Sequence, residues 1–461
     1  MLFSNIAYLN SNFEIEQGFV GVENGYITYV GENDPMSVDP TSSTPPRCEL
    51  TQPQPAQTAQ PTQPAQKPSY DFGERYDGTN KLLLPGLYNA HTHAPMTLLR
   101  GYAENLSLHD WLNTRVFPFE EKITNEDAYF ATQLALAEML RFGTVSMTDM
   151  YFFNEARINA IKESGIKANL CSGIVCFDER TYEELPNKKI DDELIAQHHN
   201  TLDGRLKIEL NIHGEYTSTP RVVEAVGRAA AQHGVQTHIH LSETKSEHEE
   251  CKQRNGGKTP TQYFDALGFF EAPCTAAHCV HTEPSDWDIL AQQNVSVVCC
   301  PASNMKLASG FAPAPQMLAA GVNVALGTDG VASNNSHNML RELYLFALLY
   351  KGSTGDPTVI TVPQALATAT INGAHAQGRF DCGSIQTGNR ADLVVLDTNQ
   401  PWLQPTTNVL NNLVFSAQGT EVVLTMVDGA VLFKDGIWTT IDIERAIQQT
   451  QKATERIQAQ L

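Results

Sequence analysis

Length, composition and charge already exclude several classes of protein. The chain has 461 residues, 41% of them hydrophobic, which is enough for a barrel-sized core beside a smaller domain. Its formal net charge of −21 argues against binding to nucleic-acid phosphates or to anionic membranes. Nine cysteines without a CxxC pair, no signal peptide and no membrane-spanning run indicate a reducing compartment. We therefore expect a cytoplasmic globular protein whose partners include neither nucleic acid nor membrane.

The two ends of the chain have the pattern of short β-strands. Residues 1–34 alternate apolar and polar side chains, and the Glu-Asn-Gly tripeptide that ends at Gly25 is typical of a hairpin turn. Near the other end, GSIQTGNRADLVVLD and TEVVLTMVDGAVLFKDG return to this pattern. We expect residues 1–84 and 382–461 to pair as one small β-sandwich, with a polar-faced terminal helix in ERAIQQTQKATERIQAQL.

A Pro/Gln-rich segment interrupts the N-terminal strands. Residues 35–70 include TPPRCELTQPQPAQTAQPTQPAQKPS, which has almost no large apolar residue and cannot contribute to a core. We interpret the segment as a disordered or polyproline-like insertion. It is either a tolerated insertion or a recognition element, and the low closure entropy of long loops favours the first interpretation.

Between these ends, the pattern alternates from helix to strand. DAYFATQLALAEMLRFGTVSMTDM gives a helix, a glycine stop and a strand, and RVVEAVGRAAAQHGVQTHIHL repeats that order. Strands that alternate with helices imply a parallel sheet, and about eight such units over about 290 residues match a (β/α)₈ barrel. A doubly wound sheet is the alternative, although no glycine-rich phosphate loop opens a helix. The fold class is therefore predicted as α/β, with a (β/α)₈ TIM-type barrel over residues 85–381.

The stretch KLLLPGLYNAHTHAPM is the most informative in the chain. An apolar run and a Pro-Gly bend precede His91 and His93, which are separated by one residue. Residues i and i+2 of an extended strand point to the same face, so both imidazoles face one space. Two neutral imidazoles on one face are half of a site for zinc or another transition metal. Histidines that pack or face water are the alternative interpretation of this pair taken alone.

A second strand end, THIHLSET, adds two histidines and a carboxylate. His238 and His240 share a face, so one of them lies in the same pocket. Glu243 follows His240 by three residues and is placed to move a proton beside whatever His240 binds. The alternative for Glu243 is a surface position at a helix N-terminus, where the helix dipole favours a carboxylate.

Two further strand ends complete the pattern. TAAHCVH ends in His278 and His281, and Asp329 lies at the tip of the apolar strand VALGTDG. An unpaired carboxylate at such a tip is costly to bury, and a metal or a histidine partner would stabilise it. Barrel enzymes build their sites at the C-terminal ends of the strands. Four such ends that carry His, His, His and Asp predict one metal site.

These motifs resemble a known family. HTH, HLSET, AHCVH and GTDGVASNN, in this order between residues 82 and 397, are similar to the amidohydrolase superfamily and closest to its 5′-methylthioadenosine/S-adenosylhomocysteine deaminases. The resemblance implies a divalent metal, usually zinc, with Fe²⁺ as the alternative. Its ligands would be the counterparts of His91, His93, His240 and Asp329. No lysine of the kind that binuclear members carbamylate ends a strand, which favours one metal per chain.

The resemblance also implies catalytic roles. His278 would orient the attacking water, and His278 and Asp329 would accept its proton. Glu243 would protonate the ring nitrogen and then help ammonia leave. The predicted reaction is hydrolytic deamination of 5′-methylthioadenosine, S-adenosylhomocysteine or adenosine to inosine derivatives and ammonia.

Substrate contacts are also carried over from the resemblance. Trp111 would contact the base by stacking or by its edge, Glu120 would accept from the ribose hydroxyls, and Ser333 would lie near the base. Ordinary helix packing is the alternative for Trp111. His213 would face the ligand, although Ile212 stands where the family usually has proline.

Some expectations remain open at this point. Arg157, Arg180 and Arg221 are the candidates for a homocysteine carboxylate, and no motif selects among them. The alternatives for the function are a superfamily hydrolase acting on guanine, cytosine, a pterin or a chlorotriazine, and a barrel scaffold without catalysis. The frequency of symmetric oligomers and the resemblance both favour a homodimer or homotetramer.

Overall fold

The computed structural model describes residues 1–37 and 70–461. The predicted insertion over residues 35–70 therefore lies almost entirely outside the described residues. The strands in chain order are β1 Leu2–Leu9, β2 Ile15–Glu23, β3 Tyr26–Gly31, β4 Arg75–Asp77, β5 Lys81–Pro85, β6 Leu87–Thr92, β7 Thr144–Met150, β8 Lys167–Cys171, β9 Leu206–Ile208, β10 Leu210–Ile212, β11 Thr237–Leu241, β12 Cys274–His278, β13 Ser296–Cys299, β14 Asn323–Leu326, β15 Leu393–Asp397, β16 Val422–Val427, β17 Ala430–Lys434 and β18 Ile437–Trp438.

Helices lie between most of these strands. In chain order they are α1 Leu108–Trp111, α2 Phe117–Glu120, α3 Asn125–Arg141, α4 Asn154–Ser164, α5 Pro186–His198, α6 Pro220–His233, α7 Lys245–Arg254, α8 Pro260–Ala266, α9 Pro284–Gln292, α10 Pro301–Lys306, α11 Ala314–Ala319, α12 Val331–Asn334, α13 Met339–Thr354, α14 Val362–Ala369, α15 Ile371–Ala376, α16 Val409–Phe415 and α17 Ile443–Gln458. Among the described helices, none has the length and apolar character needed to cross a membrane.

The two chain ends form one mixed sheet of nine strands, in the order β18-β17-β16-β15-β5-β1-β2-β3, with β4 beside β1. The ends meet where β5 pairs antiparallel with β15, Leu84 opposite Val394. The hairpin between β2 and β3 turns at Asn24 and Gly25, both with the positive φ that such a turn requires. The prediction that the two ends of the chain pair is therefore confirmed.

The middle of the chain supplies parallel strands in two sheets, β6-β7-β8-β9 and β10-β11-β12-β13-β14. Glu209 alone separates β9 from β10, so the second sheet continues from the first. Strand β7 is buried at every residue, as expected when helices cover a parallel sheet. The predicted α/β class is confirmed by this alternation.

The far edges of the two sheets, β14 and β6, also approach each other. The backbone N–H of Asp329, after β14, donates to the carbonyl of His91 in β6 at 3.0 Å. One residue earlier, the backbone N–H of Thr328 donates to the Asn89 side-chain oxygen, also at 3.0 Å. These bonds bring the polar ends of the first and last parallel strands together.

The terminal helix α17 packs away from the mixed sheet. Thr454 donates its hydroxyl to the Leu98 carbonyl at 3.0 Å, and Arg456 pairs with Asp127 at the start of α3. The helix predicted at the C-terminus is present, and its buried face rests on a helix of the parallel-strand region.

Candidate metal centre and active site

The C-terminal ends of four parallel strands deliver imidazoles and a carboxylate to one place. Two overlapping groups have all their ligand atoms within 4.8 Å of one another. The first group is His91, His240 and His278; the second is His91, His93 and Asp329. The structure thus brings together five of the strand-end residues that the sequence singled out.

Asp329 presents one oxygen to the histidines. Its Oδ1 lies 3.2 Å from His93 Nε2 and 3.5 Å from His91 Nε2. Its Oδ2 accepts hydrogen bonds from the hydroxyls of Ser303 at 2.6 Å and Ser333 at 3.0 Å. The two serines therefore fix the carboxylate with Oδ1 toward the imidazoles.

Backbone carbonyls fix the tautomers of two imidazoles. His93 Nδ1 donates to the Met150 carbonyl at 2.5 Å, and His240 Nδ1 donates to the His213 carbonyl at 2.7 Å. A carbonyl only accepts, so both Nδ1 atoms carry hydrogen, and each ring in its neutral form presents an Nε2 lone pair. Those Nε2 atoms lie 3.4 Å apart.

This donor set fits a divalent metal. The paired lone pairs of His93 and His240 face Asp329 Oδ1, and His91 Nε2 is buried without a hydrogen-bond partner among the described residues. Neutral imidazole nitrogens and a carboxylate oxygen that repel one another are stabilised together by one zinc-like cation. Hydrogen bonds from the outer Nδ1 atoms are typical of histidines that bind metals.

His278 ends β12 beside this group. Its Nδ1 lies 2.9 Å from the side-chain oxygen of Asn304, so the amide orients the ring. Its Nε2 lies 3.8 Å from Glu243 Oε2. The backbone of His278 has φ +71°, and Asp329 has φ +59°. Such left-handed positions are strained for non-glycine residues, and they concentrate at functional sites.

Glu243 is a buried carboxyl, and burial raises its pKa. The loop that carries it is held by Glu247, whose carboxylate accepts from the backbone N–H groups of Ser242 at 3.0 Å and Glu243 at 2.8 Å. Burial raises the pKa of Glu247 to about 8, and the charge of Glu243 adds to this effect. The arrangement favours a protonated acid beside His278.

Glu120 and Trp111 lie on the segment that precedes α3. Burial raises the pKa of Glu120, which accepts a 2.5 Å hydrogen bond from the Tyr151 hydroxyl. The Tyr151 ring lies 6.4 Å from that of His93, which places Glu120 near the metal ligands. Trp111 is buried in an apolar cluster with Phe119, so the structure shows it in a packing position and its contact with substrate stays a prediction.

His213 and Ser333 both contact proposed metal ligands. The His213 ring lies 4.8 Å from that of His240, and burial lowers its pKa to about 4, so the ring is neutral at pH 7. Ser333 was expected near the base, and the structure places its hydroxyl on Asp329. His281 donates to the Ser309 carbonyl and belongs to neither ligand group.

The three candidate arginines have different environments. Arg157 is fully buried and donates to the Asp149 carboxylate and to backbone carbonyls, so it holds the fold together. Arg180 pairs with the exposed Asp178, and Arg221 donates to a backbone carbonyl at the surface. The structure removes Arg157 from the candidates for a substrate carboxylate.

Sequence patterns missed several polar residues of the site. Ser303 and Asn304 hold Asp329 and His278 from the first turn of α10, which follows β13. His238 contacts His91, and Glu209 lies beyond it. The polar PASN sequence directly after a strand was the available signal for the first pair.

Comparisons with known proteins agree with this geometry. The sequence matches the amidohydrolase family over residues 82–432, and the chain belongs to that family. A 5-methylthioadenosine/S-adenosylhomocysteine deaminase from Moorella thermoacetica is 43% identical over 379 residues, which are 82% of this chain and 87% of the relative. The resemblance inferred from the motifs is confirmed.

Solved structures share the fold. An adenosine deaminase from Xanthomonas campestris with bound zinc has a TM-score of 0.87 and 30% identity, over 99% of this chain and 98% of that one. An atrazine chlorohydrolase from Arthrobacter aurescens, complexed with zinc, has a TM-score of 0.83 over 98% of this chain and 99% of that one. Its identity is 21%, so this second likeness concerns the fold alone.

Proposed function

We propose that the protein is a metal-dependent aminohydrolase of adenosine-type nucleosides. The substrates are 5′-methylthioadenosine, S-adenosylhomocysteine and adenosine, and the products are inosine derivatives and ammonia. The observation that carries the proposal is the convergence of neutral imidazoles and Asp329 beside a buried acid, Glu243. The relatives named as deaminases support the choice of reaction.

One zinc ion would be held by His91, His93, His240 and Asp329, whose donor atoms face one another. When bound, zinc lowers the pKa of a water molecule to about 7 and so provides a nucleophile at neutral pH. The zinc-bearing relative supports this metal, and the donor set also suits Fe²⁺.

The chain's own residues move the protons. His278 and Asp329 accept the proton that the attacking water loses, and Asn304 and Ser303 keep the two acceptors in place. Glu243, whose pKa is raised by burial, donates a proton to the purine ring nitrogen so that the adjacent carbon becomes electrophilic. The proton taken from the water then passes to the amine, the carbon–nitrogen bond breaks to release ammonia, and Glu243 takes back a proton from the new hydroxyl group.

Four residues would define the nucleoside site. Glu120 would accept from the ribose hydroxyls, and its burial beside Tyr151 gives it a fixed orientation. Trp111 would line the site from its apolar cluster, and His213 and Ser333 would line it beside His240 and Asp329. A ribose contact at Glu120 makes nucleosides better substrates than free bases.

We also propose the architecture that carries the site. The parallel strands close as a (β/α)₈ barrel over residues 85–381, supported by the bonds that join Asp329 and Thr328 to β6. Residues 1–84 and 382–461 form a β-sandwich, since Phe3, Leu83, Val395 and other residues from both ends share one apolar core. A homodimer or homotetramer and a cytoplasmic location stay predictions.

The test is ammonia release with metal content measured on the same sample. The panel holds 5′-methylthioadenosine, S-adenosylhomocysteine, adenosine, guanine and cytosine at matched concentration. Turnover of the nucleosides by protein with about one metal per chain is the expected result. Turnover of a free base alone would remove the roles of Glu120 and Trp111. A metal-free, inactive protein would favour the scaffold alternative.

A further inference from the structure

A second, fully buried histidine lies behind the proposed metal ligand His91. His238 Nε2 is 2.8 Å from His91 Nδ1, and the two rings stack with centroids 5.1 Å apart. The other nitrogen of His238, Nδ1, faces Glu209 Oε2 at 3.6 Å, an ion-pair distance rather than a hydrogen bond. His238 and Glu209 are 0% and 1% exposed.

His91, His238 and Glu209 form a row behind the metal site. The positions of the hydrogens along this row follow from metal binding at His91, and they therefore rest on the proposed function. A ligand nitrogen offers its lone pair, so His91 Nε2 is bare and His91 Nδ1 carries the hydrogen. That hydrogen is donated to His238 Nε2, so His238 must carry its own hydrogen on Nδ1. The Nδ1–H then points at Glu209 Oε2. These three terminal atoms, His91 Nε2, His238 Nδ1 and Glu209 Oε2, lack hydrogen-bond partners among the described residues.

The far end of the row is fixed independently. Arg379 Nη2 donates to the side-chain oxygen of Asn169 at 2.9 Å, which pins the orientation of that amide. The Asn169 amide nitrogen therefore donates to Glu209 Oε1 at 2.6 Å. It also donates to the Gln377 carbonyl at 3.1 Å. Oε1 of Glu209 must accept, and Oε2 is left to face His238.

We propose that His238 and Glu209 are positioning residues that hold His91 in the tautomer and orientation required to bind the metal. Outer partners of this kind change metal affinity by about 10- to 100-fold in other sites. Neither residue touches the substrate site, so their effect passes through His91. The same row explains why both histidines of THIHLSET face inward, although only His240 belongs to a ligand group.

Glu209→Gln should reverse the direction of the hydrogen bonds along the row, while the side chain keeps its size and shape. Because Asn169 donates, the new amide must turn its oxygen to Asn169 and its nitrogen to His238. His238 Nδ1 must then accept, its Nε2 must donate to His91, and the His91 hydrogen moves to the nitrogen that should bind metal. We expect E209Q to bind zinc about 10- to 100-fold more weakly in a chelator competition with the full-length protein.

The double variant N169D/E209Q is the rescue. The carboxylate that replaces the Asn169 amide accepts from both Arg379 and the new amide, so the amide oxygen turns back to His238 while the net charge equals that of the wild type. We expect zinc affinity to return to within a few-fold of the wild type, together with the visible spectrum of the cobalt-substituted protein. H233Q, which removes a partly exposed histidine that ends α6 and pairs with Asp192, is the matched control and should not change zinc affinity.

The possible outcomes distinguish the role of this row in zinc binding from the enzyme activity. E209Q with wild-type zinc affinity would overturn the proposal. A loss of zinc affinity that N169D/E209Q does not restore would also overturn it, since that loss would be structural. Wild-type protein that binds zinc but releases no ammonia would contradict the proposed function and would not contradict the role of the row in zinc binding. Protein that binds no zinc would remove both.

Discussion

Two buried polar clusters lie at opposite ends of the parallel strands, and they differ in what balances their charge. At the N-terminal end, Lys167 Nζ contacts Asp392 at 2.5 Å and Asp428 at 2.7 Å, and the Tyr88 hydroxyl donates to Asp392. We call these four residues the basal cluster. Burial alone would raise the pKa of Asp392, but the charge of Lys167 lowers it, so the carboxylate is already neutralised.

At the C-terminal end, Asp329 faces imidazoles instead of a lysine or arginine. Its serine partners orient it without adding positive charge. The comparison teaches that a buried carboxylate paired with a lysine or arginine is a structural element, whereas one that faces several imidazoles can hold an external cation with them. Glu243, the carboxyl that we propose as the catalytic acid, lies at the second cluster beside His278.

The largest effect is expected from the catalytic acid. Glu243→Ala should lower kcat by roughly 10² to 10⁴ because the variant lacks the acid that we propose protonates the purine ring. The variant should keep its zinc, since Glu243 belongs to neither ligand group. Steady-state kinetics and metal analysis of one sample check this. A variant with full turnover would show that the proton route is wrong.

Breaking the basal cluster should affect stability and leave the metal site intact. Lys167→Met removes the cation paired with Asp392 and leaves Asp428 with only its longer contacts to Arg205 and Arg390, so the free energy of unfolding should fall by about 3 to 5 kcal/mol. Lys189→Met is the control, because that lysine is exposed and its removal should change stability by less than about 1 kcal/mol. Denaturant titration measures both. If the stability difference between Lys167→Met and the wild type disappeared at saturating zinc, the two clusters would not be independent.

Removing the metal should lower stability through the metal site and leave the basal cluster intact. Chelation should lower the free energy of unfolding by about 2.7 kcal/mol relative to protein at a free zinc concentration of 100 times Kd, because zinc binds the folded site. Added zinc should restore the stability lost on chelation, whereas it should leave the difference between Lys167→Met and the wild type unchanged. Thermal unfolding at defined free zinc follows the change. A transition that does not depend on zinc would argue against the site.

Asp191 sharpens the comparison because it has neither of these partners. Burial raises its pKa to about 6, and the Tyr182 hydroxyl donates to it at 2.9 Å. The folded state therefore holds a proton that the unfolded state releases near pH 4, so this contribution to stability is present below pH 4 and falls as pH rises to about 6. Asp191→Asn should flatten that dependence by about 1 kcal/mol per pH unit. Parallel curves for the two proteins would contradict the assignment.

Local patterns carried most of the information about the candidate site. The spacing of His91 and His93, and the position of Asp329 at a strand tip, depend on strand geometry that sequence expresses directly. Ser303 and Asn304 could not be placed, because their contacts depend on where α10 packs. The choice between His238 and His240 depended on depth within the strands, since both rings face inward.

The fold shows the same division. Alternation of helix and strand predicted the parallel strands, and hairpin patterns predicted the pairing of the two chain ends. The packing of α17 on α3 could not be predicted, because the polar sequence of α17 does not specify which surface contacts its buried face. Arg157 was one of three candidates to bind a substrate carboxylate, and its full burial in the structure shows its structural role.

Reconstitution of the chelated protein tests the central claim most directly. Zinc is added stepwise, and ammonia release from 5′-methylthioadenosine is measured after each addition. The account predicts that activity rises in proportion to zinc and reaches its maximum at about one ion per chain. Full activity of the metal-free protein, or a maximum only at two ions per chain, would contradict it.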